Sequence, residues 1–556
     1  MTRAAALPSG IPPRALLFVV VLAVFLANCY LASSVPLIDP DEGRNAEIAR
    51  EMAVSGDFLI PHLAGMPYLD KPPGLFWAEA LSMKAFGYSP RSARLPVALA
   101  AAATVWLIGL LGLRLADRGR ALYGMVLLVS APLFLGLSTF VIFDMPLTLC
   151  VTLFWTLLAR EVVEGPSRGG RIGLFAAIAA GLFIKGPVML AWAIGGSLAA
   201  AMVLRSTATI RWIPRWRGWA FLLLVVGGWF AAASQRCPEF PHYAFIEETI
   251  ERTTTGSFHR QQPLWFIPVV LLIGSLPWSV ATPWTRRLGL ESRVALGFVL
   301  FALVFFSLSS SKLATYPLPA LPALAWIASE AWLNPLRSRR GAWALAATYL
   351  FAALIFLAAP HLDLARGGRS ADLLRRVDGS AGTMLVVGLA AVSLAAAAGA
   401  LSRRSWLVLA TVPAFSVMTF ATVGPALGFA SGAPLAEAIR NHAPGGTVRF
   451  ERCWSPGVDF LLGRRSQIIS HHGHETTSTY QDRYHETLMR RGEWTLLSAR
   501  PEPDTAAVVV RSFEASDPDS CPRGFSRFYQ DERFVACGRD PEDPEVPSPP
   551  ADSGQT

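Results

Sequence analysis

The sequence has little charge for its length. Of its 556 residues, 16% are charged and 53% are hydrophobic, and the mean hydropathy is +0.40. About a quarter of the residues in an average soluble protein are charged, so the composition excludes a soluble globular protein. The formal net charge of +9 has to be considered loop by loop, and with no basic face shown it predicts no nucleic-acid partner.

Cysteine is also scarce, and several well-known motifs are missing. The six cysteines form no Cys-x-x-Cys pair, which argues against a cysteine-based metal site. The chain has no Walker A, GxGxxG or HExxH motif, which argues against nucleotide-driven and metalloprotease functions. Cys521 and Cys537 flank one short segment and could pair in an oxidising compartment.

What the sequence does have is long apolar runs, beginning with "ALLFVVVLAVFLANCYLASS". Many reach the roughly 18 to 20 residues that a helix needs to cross a bilayer. They predict a polytopic α-helical membrane protein with about thirteen transmembrane helices. The predicted spans begin near residues 15, 95, 121, 142, 173, 188, 217, 264, 294, 316, 342, 381 and 406.

Arginine in the short loops predicts the orientation of these spans. Basic loops alternate with less basic ones, so one side is cytoplasmic by the positive-inside rule; the 361–380 segment, basic but external, is the exception. An odd number of spans then places the C-terminus outside. We expect a transmembrane domain over 1–432, an external α/β domain over 433–538, with strands in "TAAVVVRSF" and "RFVACGRD", and a disordered tail over 539–556.

The remaining polar segments all face the external side in this topology, starting with "IDPDEGRNAEIAREM". This segment is typical of a helix start, with Asp39 as the N-cap, Pro40 at the first position and Glu42 three residues after the cap. Capping accounts for Asp39 and Glu42. It accounts less well for Asp41, which we therefore interpret as a candidate functional carboxylate.

Four further charged residues precede or end predicted helices. Asp70 and Lys71 stand before two prolines, and a local ion pair is the alternative to a functional role. Asp144 lies at the end of a span, where an acid suggests function unless it caps a helix. Lys185 has similar surroundings, and snorkelling to the interface is its alternative.

Two external hairpins add weaker candidates. "FHRQQPLWF" contributes His259 and Arg260, and "SSSKLATYPLP" contributes Lys312 and Tyr316. Each of these alone is more often an interfacial anchor than a ligand contact.

Together these residues suit one chemistry. Cations at headgroup depth suit a lipid phosphate, and nearby carboxylates suit activation of a hydroxyl group or recognition of a sugar. A polyprenyl-phosphate sugar meets both needs. Its phosphate is a good leaving group, so a single base could suffice in place of the acid–base pair of glycoside hydrolases.

The order of motifs resembles a known family. "DPDEGRNAEIAREM", "GMPYLDKPPG", "ARLP", Asp144, "KG" and "SKLATYPLPALPALA" follow one another as in the bacterial aminoarabinose (lipid A) transferases. The pattern also resembles the dolichyl-phosphate-mannose–protein mannosyltransferases, which share the C-type glycosyltransferase fold. That fold comprises about thirteen transmembrane helices, interfacial helices and a small C-terminal external α/β domain.

The resemblance implies an inverting sugar transfer from a polyprenyl-phosphate donor. It implies catalytic roles for Asp41 and Asp144, and it implies substrate or lipid-phosphate binding by Arg44, Tyr68, Lys71, Lys185, Arg260, Lys312 and Tyr316. Asp70 and His259 match positions where a divalent metal is possible, although the transfer requires no cofactor. Asn45 replaces a common tyrosine and "DKPP" replaces "EKPP", which leaves the sugar and the acceptor open.

Three hypotheses follow. The first is transfer to lipid A on the periplasmic face of a bacterial inner membrane, among membrane lipids. The second is the same chemistry on protein hydroxyls or another cell-envelope glycan. The third is a lipid-linked sugar transporter or flippase, although the sequence has no visible internal repeat of the kind that many transporters show.

Overall fold

The computed structural model describes most of the chain. The described residues are 12–251, 261–276, 278–281, 288–332, 335–358, scattered positions between 387 and 398, 430–470, 473–499, 506–512, 521–522 and 524–539. The chain divides into two compact units. The first comprises Met1–Leu37, Ile48–Pro61 and Leu69–Ala430, and the second comprises Ile38–Glu47, His62–Tyr68 and Ser431–Thr556.

The secondary structure elements in the described part of the first unit are all helical. Its α-helices are Pro13–Ser34, Gly74–Phe86, Pro90–Leu115, Arg118–Ser130, Pro132–Leu137, Asp144–Glu164, Arg168–Lys185, Val188–Leu204, Trp216–Leu222, Gly228–Arg236, Phe240–His242, Phe266–Gly274, Trp278–Ala281, Leu290–Leu308, Leu321–Trp332 and Pro335–Ala358. Short 3₁₀ and π segments occupy Thr207–Ile210, Leu223–Gly227, Tyr243–Glu251 and Leu318–Ala320. Helix Asp41–Ser55 begins in the second unit and ends in the first.

Five stretches of the described chain are long and apolar enough to cross a membrane. They are Pro13–Ser33, Pro90–Leu115, Asp144–Glu164, Trp216–Arg236 and Leu290–Leu308. The predicted span near residue 121 is interrupted, since helix Arg118–Ser130 ends before Pro132, where proline cannot donate a helical hydrogen bond. The span predicted near 406 lies outside the described residues, and the one near 381 is described only at scattered positions.

Small residues allow these helices to pack closely. A Cβ on Gly112 would lie 2.4 Å from the Cα of Ala121, and a Cβ on Gly297 would lie 2.4 Å from the Cα of Ala200. Close backbone approach of this kind supplies van der Waals packing where a bilayer offers no hydrophobic driving force.

A buried charge network joins three helices of the first unit. Arg120 donates to Glu291 at 2.8 Å and to Glu330 at 3.1 Å, and it also bonds Ser292. Its guanidinium lies 4.1 Å from the ring centroid of Trp326. The network compensates these charges away from water, as a buried ionic group requires.

The second unit contains a mixed five-stranded sheet. In spatial order its strands are Gln467–Ile469, Val448–Glu451, Val508–Ser512, Phe534–Arg539 and Phe525–Gln530. The first three are parallel and the last two form an antiparallel pair. Its helices are Ala433–His442, Pro456–Leu462, Thr479–Arg483 and His485–Arg490, with a 3₁₀ turn over His474–Thr476.

Both strands predicted in this region are confirmed. "TAAVVVRSF" contains strand Val508–Ser512, and "RFVACGRD" contains strand Phe534–Arg539. Cys521 and Cys537 form a disulfide with their Cα atoms 5.8 Å apart. It joins the strand Phe534–Arg539 to the segment that precedes Phe525.

Candidate functional site

Asp39 does not cap the helix that follows it, so the N-cap prediction is wrong. Its carboxylate accepts hydrogen bonds from the Ser455 hydroxyl and, at 3.1 Å, from the Gly457 amide. These groups belong to the first turn of another helix, Pro456–Leu462. The amides of that turn have no partner inside their own helix and therefore attract a carboxylate.

Glycine allows this close approach to Asp39. A Cβ on Gly43 would lie 1.9 Å from an Asp39 carboxylate oxygen, and a Cβ on Gly457 would lie 2.6 Å from the same atom. Burial raises the pKa of Asp39 to about 6, although the hydrogen bond from Ser455 and the charge of Arg533 act in the opposite direction. Asp39 is therefore a structural acid held against a second chain segment.

Glu42 serves the start of its own helix, although the amide that it binds belongs to Ile38 and not to the predicted N-cap Asp39. Its carboxylate accepts the Ile38 amide hydrogen at 3.0 Å, which satisfies one backbone donor at the helix start. The residue is 2% exposed. Capping thus accounts for Glu42 and leaves Asp41 as the exposed acid of this turn.

Asp41 is held at one oxygen by Arg44. The guanidinium of Arg44 lies 2.8 Å from Oδ1 of Asp41, and the Asp41 side chain is 71% exposed whereas that of Arg44 is 16% exposed. Arg44 also donates to the Thr477 hydroxyl at 2.8 Å. Asp41 therefore presents a carboxylate to solvent from a defined position, which suits a base that must reach an incoming hydroxyl group.

Tyr68 follows a small hairpin in the same unit. Strands His62–Leu63 and Met66–Pro67 pair across the turn of Ala64 and Gly65, whose φ values are 54° and 81°. Positive φ at both turn residues is typical of a tight two-residue hairpin. Tyr68 itself is 2% exposed.

In the first unit, Asp144 and Lys185 form an ion pair. The ammonium of Lys185 lies 2.6 Å from the Asp144 carboxylate and 5.2 Å from the ring centroid of Tyr316. The N-cap residue of this helix is Phe143 and Asp144 is its first helical residue, so the capping alternative for Asp144 is wrong. The structure thus brings together three residues that the sequence named separately.

Asp70 and Lys71 contact different residues of the segment Tyr243–Glu251. The Tyr243 hydroxyl donates to Asp70 at 2.6 Å, and Lys71 lies 2.5 Å from a carboxylate oxygen of Glu248. Lys71 also donates to the backbone carbonyl of Asp70 at 2.6 Å. The pair therefore connects the start of helix Gly74–Phe86 to this π-helical segment.

Of the remaining predicted cations, Lys312 lies within the described residues. Lys312 is 6% exposed and donates to the Gln262 carbonyl at 2.7 Å. Arg260 and His259 lie outside the described residues. Among the described residues, no group of three or more His, Cys, Asp or Glu side chains could hold a metal ion, and a metal at Asp70 and His259 stays a prediction.

Sequence reasoning missed Tyr243, Glu248 and Thr477 as partners of the candidate residues. A different signal was present, because only four of the 49 basic residues are lysines, namely Lys71, Lys84, Lys185 and Lys312. Three of the four are candidate site residues. Lysine carries a compact point charge where arginine carries a planar one, so its scarcity was a sequence signal for these three positions, although Lys84 shares it without being a candidate.

The chain is similar to several known proteins. A family model for dolichyl-phosphate-mannose-protein mannosyltransferases matches residues 70–230. An undecaprenyl phosphate-alpha-4-amino-4-deoxy-L-arabinose arabinosyl transferase of Aeromonas hydrophila is 29% identical over 305 residues, which are 52% of this chain and 55% of the relative. A second such transferase, from Sodalis glossinidius, is 32% identical over 312 residues, which are 52% of this chain and 54% of the relative. The chain thus spans about half the length of the curated relatives it matches.

The fold is similar to that of a solved structure along nearly the whole chain. The crystal structure of ArnT from Cupriavidus metallidurans bound to undecaprenyl phosphate superposes with a TM-score of 0.79 at 22% identity, covering 95% of this chain and 98% of that chain. Its apo form gives a TM-score of 0.76. The resemblance predicted from the motifs is therefore confirmed: this multi-pass membrane protein is aminoarabinose-transferase-like in sequence and has the C-type glycosyltransferase fold.

Proposed function

We propose that this chain is an integral-membrane glycosyltransferase that moves a sugar from a polyprenyl-phosphate donor to a lipid A-like envelope acceptor, with inversion. Relatives named as arabinosyl transferases of an undecaprenyl phosphate sugar support this proposal. So does the similarity in fold to a structure described as bound to undecaprenyl phosphate.

The observation that carries the proposal is the geometry of Asp41. Its carboxylate is exposed and is held at Oδ1 by Arg44 at 2.8 Å. Among the described residues Arg44 is the side chain that bonds Asp41, and it does so at Oδ1, so Oδ2 is available to accept a proton. One base is sufficient for this reaction, because a phosphate leaving group needs little protonation.

The step balances as a single displacement. The acceptor hydroxyl oxygen forms a bond to the anomeric carbon while its proton passes to Asp41. The bond between that carbon and the phosphate oxygen breaks, and its electron pair leaves with polyprenyl phosphate. Attack opposite the leaving group inverts the anomeric centre.

Cations stabilise the charge that grows on the leaving phosphate. We assign this role to Lys71 and Lys312, with Arg260 in support, because fixed positive groups near developing charge lower the barrier. We assign substrate recognition to Asp144. Lys185 holds the Asp144 carboxylate through the ion pair, and Tyr316 contacts Lys185 through its ring. Tyr68 and Arg44 are the remaining residues to which we assign substrate binding.

We assign the reaction to the periplasmic face of a bacterial inner membrane. The arginine-rich loops support a cytoplasmic location for the opposite face, and the Cys521–Cys537 disulfide supports an oxidising surrounding for its region. Residues 1–432 form the transmembrane domain, residues 433–538 the external domain and residues 539–556 the tail in this assignment.

A protein acceptor is the second candidate. The match of residues 70–230 to a mannosyltransferase family whose acceptors are proteins favours it. The proposal uses the same chemistry for both acceptors, with an acceptor hydroxyl oxygen as the nucleophile and the phosphate as the leaving group.

The test is sugar transfer by the purified full-length chain in detergent, supplied with a polyprenyl-phosphate sugar and an envelope extract. We expect labelled sugar in the lipid A fraction, and Asp41→Asn should reduce it by at least about a hundredfold. The matched control is Glu437→Gln, which removes one exposed carboxylate and should leave transfer unchanged.

Three outcomes would contradict parts of the proposal. Labelled sugar in proteins but not in lipid A would mean that the acceptor is a protein. Substantial activity of a folded Asp41→Asn variant would remove Asp41 as the base. Movement of intact donor between the leaflets of a vesicle, without its consumption, would indicate a transporter in place of an enzyme.

A further inference from the structure

The position of the Asp41 carboxylate depends on Arg44, and the position of Arg44 depends on Thr477. One guanidinium nitrogen of Arg44 contacts Asp41 at 2.8 Å, and the other contacts the Thr477 hydroxyl at 2.8 Å and its carbonyl at 3.4 Å. Thr477 is 433 residues distant from Arg44 in sequence. All three residues belong to the second compact unit.

Thr477 has a backbone conformation that its side chain disfavours. Its φ is 57°, at the end of the 3₁₀ turn His474–Thr476. Glycine or asparagine is the usual residue there, and a β-branched side chain is an outlier. Such strain persists where the surrounding structure requires a particular side chain, and here the hydroxyl of that side chain contacts Arg44.

The turn that holds Thr477 is itself fixed by hydrogen bonds. The Gly473 amide donates to the Ser470 hydroxyl at 2.9 Å, and the Thr476 hydroxyl donates to the Gly473 carbonyl at 2.8 Å. Ser478, directly after Thr477, caps the next helix through the Gln481 amide at 3.3 Å. The position of Thr477 is therefore fixed by its neighbours, so its hydroxyl can orient the longer side chain of Arg44.

The same segment holds the hairpin before Tyr68. The side-chain amide of Gln481 donates to the carbonyls of Leu63, Met66 and Pro67 at 3.1, 3.3 and 3.2 Å. Asp39, two residues before Asp41, is bound separately to Ser455 and Gly457. The start of helix Asp41–Ser55 is thus attached at two points, and one of them is Arg44.

We infer that Thr477 is a positioning residue for the transfer reaction: through Arg44 it sets the orientation of the Asp41 carboxylate. This inference rests on the proposed function, in which Asp41 accepts the acceptor proton. It gives the C-terminal region a role in chemistry and makes Arg44 an orienting group for the base in addition to a substrate contact.

The physical reason is that an exposed aspartate can otherwise adopt several rotamers. Holding a reacting group in the productive geometry contributes strongly to rate, and a misplacement of about 1 Å can cost roughly a hundredfold. Arg44 has a long side chain with many rotamers. It can fix Oδ1 of Asp41 only while its guanidinium is itself fixed, which the bond to Thr477 does.

The test is steady-state transfer by full-length Thr477→Val, which keeps the β-branched shape and removes the hydroxyl. We expect kcat to fall about ten- to a hundredfold while KM for the lipid-phosphate donor changes by less than about twofold. Thr477→Ser, which restores the hydroxyl, should recover most of kcat. Thr447→Val, an exposed threonine of the same unit, is the matched control and should behave as wild type.

Thr477→Gly separates positioning from folding. Glycine relieves the positive φ, so the melting temperature should not fall, and yet kcat should fall as in Thr477→Val. Wild-type kcat in Thr477→Val would overturn the inference, as would a loss of kcat that accompanies an equal loss of stability in both variants. If the wild-type chain transfers no sugar at all, the proposed function fails instead.

Discussion

The ammonium of Lys185 lies 2.6 Å from the carboxylate of Asp144, where two consecutive helices of the chain meet. Asp144 is the first residue of helix Asp144–Glu164, and Lys185 is the last of helix Arg168–Lys185. The helix dipole favours an anion at the N-terminus, where Asp144 lies, and a cation at the C-terminus, where Lys185 lies. Each charge is therefore stabilised by the other and by the helix that carries it.

Removal of Lys185 alone should destabilise the protein. With the two side chains 17% and 10% exposed, Lys185→Met leaves the Asp144 charge uncompensated at a cost of about 3 kcal/mol. The double variant Lys185→Met/Asp144→Asn should recover most of that stability without recovering transfer. Melting curves of the three proteins in detergent measure this, and a double variant as unstable as Lys185→Met would contradict it.

Lys71 should control the affinity for the donor. In the proposed function Lys71 contacts the lipid phosphate, so Lys71→Met should lose a charge-assisted contact and raise KM for the donor about tenfold or more. Lys84→Met is a matched control, because Lys84 is exposed and contacts the Ala53 carbonyl and the Phe58 ring. Equal KM values for the two variants would remove Lys71 from the donor site.

Asp39 should give stability a dependence on pH. Burial raises its pKa from the ordinary 3.8 to about 6, among the charges of Arg533 and Glu42. The native state binds this proton more tightly than the unfolded state, so the stabilisation is complete below about pH 3.8 and is lost as pH rises through about 6. Asp39→Asn should therefore lose less stability than wild type between pH 5 and pH 7.5.

Melting temperatures of both proteins across that range measure the effect. Glu437→Gln serves again as the control and should follow the wild-type curve. Identical pH slopes for wild type and Asp39→Asn would show that another group dominates the titration.

The disulfide should contribute to the stability of the second unit. Cys521 and Cys537 are separated by 16 residues, and closing a loop of that size stabilises a fold by about 3 kcal/mol. A thiol reductant should lower the melting temperature of wild type and leave that of Cys521→Ser/Cys537→Ser unchanged. The same shift in both proteins would mean that the reductant acts elsewhere.

Sequence patterns could predict the parts of the molecule that depend on local or repeated features. Apolar length predicted the long helices such as Pro90–Leu115 and Leu290–Leu308, because bilayer thickness requires it. The run of β-branched residues in "TAAVVVRSF" predicted strand Val508–Ser512. The capping geometry of Glu42 was also predictable, since it lies within one turn.

Contacts distant in sequence could not be predicted. Asp39 fitted every local rule for an N-cap, but its carboxylate binds Ser455, 416 residues away, where the first turn of another helix offers unsatisfied amides. Likewise, Asp144 and Lys185 were predicted singly, and their pairing required the two helices Asp144–Glu164 and Arg168–Lys185 to have their actual lengths. The partner Glu248 gave no signal, because an acid in a polar segment is ordinary.

The discontinuity of the second unit has a consequence for synthesis. Arg44 and Asp39 leave the ribosome early, but their hydrogen-bonding partners Thr477 and Ser455 are 433 and 416 residues away. Forming such contacts costs the entropy of closing a long loop. Only the contacts themselves offset that cost, and they cannot form until both ends of the loop have been synthesised. A nascent chain that has already inserted its helices therefore lacks an oriented Asp41, and the proposed base becomes oriented only once the segments around Ser455 and Thr477 have been made and folded.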